Sequence, residues 1–63
     1  SNCTYAVSFN GKTRFTMELP KEMGKEDVEN SVRNNPSTDK YLAGKNIVKV
    51  IVVPGKIVNI VVK

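Results

Sequence analysis

Ten basic side chains and no histidine limit what chemistry this 63-residue chain can do. Histidine is the commonest general base and a frequent metal ligand, so its absence removes the usual nucleophile–base pairs and zinc sites of ordinary composition. Cys3, the single cysteine, has no base in a recognisable catalytic context and reads as a small strand residue. It also excludes an intramolecular disulfide. Glu22, Glu26, Asp27 and Glu29 lie close together and could be imagined as an acid–base pair or a Mg²⁺ site. The first turn of a helix, where acids face the positive end of the backbone dipole, accounts for them better. Gly-Lys recurs at Gly11-Lys12, Gly24-Lys25, Gly44-Lys45 and Gly55-Lys56 without the remaining residues of a phosphate-binding loop. The chain reads as non-catalytic, with no cofactor of its own.

Binding chemistry is better represented. The net charge is +4 and the pI near 9.5, which favours a polyanionic partner such as nucleic acid. Because the acids cluster, the rest of the surface is more basic than the average implies. Lys12, Lys45 and Lys56 fall at or beside the ends of elements, and Arg14 and Lys49 alternate with apolar residues in strand-like runs. These five cations form a candidate phosphate-contacting set. Composition alone would explain them equally well as solubilising charges.

The elements that must position these residues follow from periodicity. In "CTYAVSF" and "TRFTMEL" apolar residues occupy every second position, the pattern of two half-buried strands. Asn10-Gly11 lies between them, but a two-residue turn there would pair Val7 with Arg14 and put the two apolar sets on opposite faces. A three-residue loop of Phe9, Asn10 and Gly11, pairing Val7 with Thr13 and Tyr5 with Phe15, restores one apolar face. "GKEDVENSVRN" predicts a helix with Gly24 as N-cap and Val28 and Val32 inward. A short helical turn follows, capped by Ser37, with Tyr41 and Leu42 inward and a stop at Gly44.

From Ile47 to Lys63, 11 of 17 residues are Val or Ile, with Pro54-Gly55 as a turn. If Lys49 faces solvent, Val48, Val50 and Val52 point inward. A two-residue turn would then bury Asn59 opposite Val50, whereas a loop one residue longer or shorter, or a bulge, sends Lys49 and Asn59 to one outer face. Ile51, Val53, Ile57 and Val61 join them there. The predicted fold is α+β: a small antiparallel four-stranded sheet built as β-hairpin, helix and short helical turn, then β-hairpin, with the helices on one face. Ser1-Asn2 reads as the remnant of a cleaved tag and residues 3–63 as one domain. A domain this small buries only about 60% of the surface its unfolded chain exposes, so its stability is modest. The longest apolar run, Val50 to Val53, is far below bilayer-spanning length, and with the lone cysteine the chain reads as cytosolic.

The surplus of outward apolar residues, with Lys49 among them, describes a mixed patch able to press against exposed bases or against a neighbouring protein domain. It lacks the stacking aromatics of an RNA-recognition motif, so a nucleic-acid contact would read backbone and shape more than base identity.

"NGKTRF", "LAGKNIVKVIVVPGKIVNIVV" and the short acidic helix between them resemble the C-terminal domain of bacterial-type leucyl-tRNA synthetase. The likeness runs from Tyr5 to the end, through Asn10-Gly11-Lys12, Gly44-Lys45, Lys49-Val50-Ile51, Val53-Pro54-Gly55-Lys56 and Asn59. It departs from the family pattern at Val48, Val52 and Gly24. The resemblance implies a class I parent enzyme that joins leucine to tRNA(Leu) using ATP with Mg, and edits mischarged products in a separate domain. It further implies that this appendage, itself without catalytic residues or cofactor, reaches the outer corner of the tRNA where the D and T loops meet.

The expected site is therefore Lys12, Arg14, Lys45, Lys49 and Lys56 on phosphates, with Ile51, Ile57 and Val61 as the apolar contact. The expected partners are tRNA(Leu) and the rest of the parent chain, with no membrane, and the isolated domain is expected to be monomeric. The alternative is a protein-interaction module docking through the outer face or a sheet edge.

Overall fold

A computed structural model describes all residues, 1–63. Strands β1 (Asn2–Phe9) and β2 (Lys12–Pro20) form the first hairpin, helices α1 (Lys25–Arg33) and α2 (Pro36–Leu42) follow, and β3 (Ile47–Val53) and β4 (Ile57–Val62) form the second hairpin. The α+β class and the element order are those the sequence predicts. The sheet differs in one respect: it is mixed, in the order β2-β1-β4-β3, because β1 and β4 pair in parallel. The helical segment carries the chain far enough for the second hairpin to dock beside the first in that direction. β4 takes the centre because Val58, Ile60 and Val62 are all buried, whereas β3, with Lys49 and no fully buried residue, suits an edge. Asn2 pairs with Pro20, and the Ser1 carbonyl accepts from Lys21 N–H, so both terminal residues continue the β1 ladder.

Both hairpin turns settle the parity problem, in different ways. Asn10 (φ 53°) and Gly11 (φ 85°) form a two-residue turn with both residues left-handed, the arrangement that matches strand twist, and Phe9 pairs with Lys12. The predicted three-residue loop is not used. A bulge instead makes Arg14 the extra residue between the pairs Ser8–Thr13 and Val7–Phe15, so Tyr5 opposes Met17 rather than Phe15. Cys3, Tyr5, Val7, Phe15, Met17 and Leu19 still share one face. Of the alternatives left open for the second turn, the longer loop is used: Pro54, Gly55 (φ 75°) and Lys56, closed by Lys56 N–H donating to Val53 C=O at 3.0 Å. Ile51 then opposes Asn59 and Lys49 opposes Val61. Val48, expected inward, falls at a second bulge and is 57% exposed.

The helices cover the inner face. Val28 and Val32 are fully buried against the sheet, where Tyr5, Val7, Val58 and Ile60 form the centre of the core. The cap of α2 is Asn35 rather than Ser37: its Oδ1 accepts from Ser37 N–H at 2.8 Å, with Pro36 at the first helical position. Thr38, completely buried, donates its hydroxyl to the Val32 carbonyl at 2.6 Å and so fixes α2 against the end of α1. Neither helix is long and apolar enough to cross a membrane.

Candidate nucleic-acid interface

The outer face of the sheet carries no helix, and the register fixes its layout. One row across the strands reads Thr16, Ala6, Ile57, Val53, and the next reads Thr13, Ser8, Asn59, Ile51. Val61 and Lys49 follow as a cross-strand pair. On the β1–β2 half Thr13 and Thr16 are exposed while Ser8 is buried, its hydroxyl bonded to that of Thr13 at 3.0 Å, and the β4–β3 half is largely apolar. Ile51 and Val53 are 42% and 39% exposed, while Ile57 and Val61 are half-buried. Three of the predicted contact residues, Ile51, Ile57 and Val61, thus lie on one continuous patch with Lys49.

The turns at the two ends of the sheet are each held by a side chain from the other hairpin. Gly11 N–H donates to Asn59 Oδ1 at 3.1 Å, and Val62 N–H donates to Asn10 Oδ1 at 2.9 Å, which clamps the first turn to β4. At the opposite end Gly55 N–H donates to the buried Tyr5 hydroxyl at 2.8 Å. Asn10, Asn59 and the Pro-Gly turn are thereby explained by folding alone. Each tie satisfies a backbone donor that the strand ladder does not use.

The cations do not form one cluster. Parallel pairing of β1 and β4 brings the Asn10-Gly11 turn beside the end of β4, where Lys63 and Asn46 exchange backbone hydrogen bonds. Lys12, Lys45 and Lys63 consequently share one end of the sheet, and Lys49 stands close to it on β3. Three strand spacings, about 14 Å, separate Lys12 and Lys45 across the sheet, and Lys45 lies further along the strand axis, beyond the Asn46–Lys63 pair, whereas Lys12 is level with Ile60. Lys56 lies at the other end, removed by the length of β4, about 17 Å. Arg14, expected on the outer face, is turned by its bulge to the helix side, where its guanidinium carbon lies 5.8 Å from the centre of the Tyr41 ring. Tyr41, expected to point inward, is 37% exposed and packs on Phe9 and Phe15 at the rim. The bulge itself had a signal: a two-residue Asn-Gly turn needs one extra residue to keep the apolar face continuous.

The acids lie elsewhere. Glu26 and Asp27 occupy the first turn of α1, and Glu29 pairs with Arg33 at 2.9 Å. Glu22, Glu26, Asp27 and Glu29 do not gather into a group able to hold a metal ion. Glu26 and Glu29 with Lys25 instead border an open groove between α1 and β3, floored by Val50, Ile51 and Val52.

The outer face is thus half apolar, with cations at its ends, on a small α+β scaffold. The comparisons place the chain within one family. It is 57% identical over 58 residues to the leucine–tRNA ligase of Parabacteroides distasonis, a match covering 92% of this chain and 6% of that protein. It is 61% identical over 57 residues to the leucine–tRNA ligase of Christiangramia forsetii, covering 90% and 6%. The crystal structure of the Agrobacterium radiobacter leucyl-tRNA synthetase–tRNA–LeuAMS ternary complex superposes with a TM-score of 0.91 at 31% identity, over 98% of this chain and 8% of that one. No protein-family profile matches. The chain belongs to the leucyl-tRNA synthetase family, as its C-terminal domain, and spans only about a sixteenth of the curated relatives.

Proposed function

We propose that this domain binds tRNA(Leu) at the corner where the D and T loops meet, and so supports aminoacylation and editing by the rest of a cytoplasmic leucine–tRNA ligase. The observation that carries the reading is the uncovered outer face, where Ile51, Ile57 and Val61 lie flat beside Lys49. A tRNA corner ends in a stacked base pair bordered by phosphates, and an apolar patch edged by cations complements both parts. Lys12, Lys45 and Lys49 take phosphates near one end of the face, and Lys56 reaches a phosphate at the other. The catalytic steps, with ATP and Mg, belong to other domains of the parent, and the isolated domain is monomeric.

The double variant Lys49→Glu/Lys56→Glu in the full-length ligase should raise KM for tRNA(Leu) and leave tRNA-independent leucine activation unchanged. Unaltered charging kinetics in a folded variant would remove those two residues from the interface.

The free edge of β3 favours a second reading, docking of a protein segment. Val48, Ile51 and Val53 are exposed along this edge, beside the groove under α1. Salt separates the two. With about three phosphates neutralised, affinity for tRNA should fall roughly 20- to 40-fold between 50 and 200 mM salt, whereas apolar docking to protein persists.

A further inference from the structure

Arg14 is a cation that no ion pair or hydrogen bond accounts for. It is exposed, sits at the bulge of an edge strand, and has no carboxylate or hydrogen-bond partner; the single ion pair of the molecule joins Arg33 to Glu29. Yet it is not free to wander, because its guanidinium lies over Tyr41, 5.8 Å from the ring centre. Tyr41 is in turn held by Phe15, 6.1 Å away with the rings inclined by 19°, and by Phe9 at 5.2 Å. A cation–π contact with a ring consumes none of the guanidinium's N–H donors. An arginine fork held beside an aromatic ring and without an acidic partner is suited to a phosphate, which it can grip with two parallel hydrogen bonds.

We propose that Arg14 is a phosphate clamp for the RNA backbone and that Tyr41 is its positioning residue. This rests on the tRNA-binding reading above and deepens it. Arg14 lies on the helix side of the sheet, whereas Ile51, Ile57 and Val61 lie on the outer face, so the RNA backbone turns around the end of the sheet that carries the Asn10-Gly11 turn. Lys12, two residues away and at that same end, adds a second positive charge along the path. Tyr41 does not itself contact the RNA; it fixes the plane in which Arg14 presents its donors.

The test is a titration of the full-length ligase with tRNA(Leu) transcript at several salt concentrations between 50 and 200 mM. Arg14→Ala should weaken binding about tenfold and reduce the slope of log affinity against log salt by about 0.7 to 0.9, the value for one lost phosphate contact. Arg14→Lys keeps the charge but not the fork, so it should keep the slope and still lose affinity several-fold. Tyr41→Leu should behave as Arg14→Lys does, and Tyr41→Phe, which keeps the ring, should bind as the parent does. If Arg14→Ala leaves affinity and slope unchanged although deletion of the domain weakens binding, the clamp is overturned and the tRNA-binding reading stands. If deletion itself changes nothing, that reading falls and the clamp with it. A lowered melting temperature for Arg14→Ala with an unaltered slope would mean that the stack only shields the aromatic cluster, which also overturns the proposal.

Discussion

Tyr5 shows how much one atom can matter in a chain this small. Its ring lies in the core, 1% exposed, while its hydroxyl accepts from Gly55 N–H in the far turn. Tyr5→Phe keeps the packing and removes the acceptor, so it should cost about 1 to 2 kcal/mol in urea unfolding of the chain. The side chain of Asn35 does comparable work for α2 by capping its first turn. Asn35→Ala should cost about 1 kcal/mol, with helical signal lost from α2 first. Neither role was legible beforehand. Tyr5 read correctly as an inward strand residue, but the partner of its hydroxyl is 50 residues away, and no local pattern reports such a pairing.

Among the elements, β4 carries most of the fold. Ile60 is fully buried and central, flanked by β1 and β3 and facing the helices. Ile60→Ala should cost about 2 to 4 kcal/mol, a large share of the roughly 3 to 9 kcal/mol available to a domain of this length. The melting temperature of that variant should fall by well over 10 °C, since each kcal/mol is worth about 4 to 8 °C in a domain of this size. The first hairpin depends more on backbone conformation. Gly11 at φ 85° has no Cβ to clash, and Gly11→Ala should destabilise by about 1 kcal/mol without disturbing the strands. Periodicity located all four strands and both helices correctly. It misjudged the first turn because two devices, a longer loop and a bulge, restore the same parity. The Asn-Gly pair favours the two-residue turn, and the edge position of β2 tolerates the bulge.

At the scale of the molecule, charge is distributed unevenly over a body measuring 35 × 18 × 18 Å. Lys12, Lys45 and Lys63 gather at one end, Lys56 stands at the other, and the acids of α1 lie on the helical layer. The double charge reversal should therefore divide unequally when its members are separated. Lys49→Glu, beside Val61 and nearer the basic end, should account for most of the rise in KM for tRNA(Leu), and Lys56→Glu alone for less. Steady-state charging assays on the two single variants would check this. An equal effect would mean that the RNA spans the whole length of the outer face.

The sequence by itself determined the α+β class, the order of six elements, the outward set of Ile51, Val53, Ile57 and Val61, and the family. These depend on alternation within short segments and on a contiguous motif, both of which are local. Only the tertiary structure decided that β1 and β4 lie side by side in parallel, and everything that depends on this pairing. It brings the Asn10-Gly11 turn against the end of β4, assembles the basic end, and separates Lys56 from Lys12. The position of Arg14 likewise required the third dimension, since a one-residue bulge reverses the side to which it turns and Tyr41 meets it only when α2 closes over the sheet.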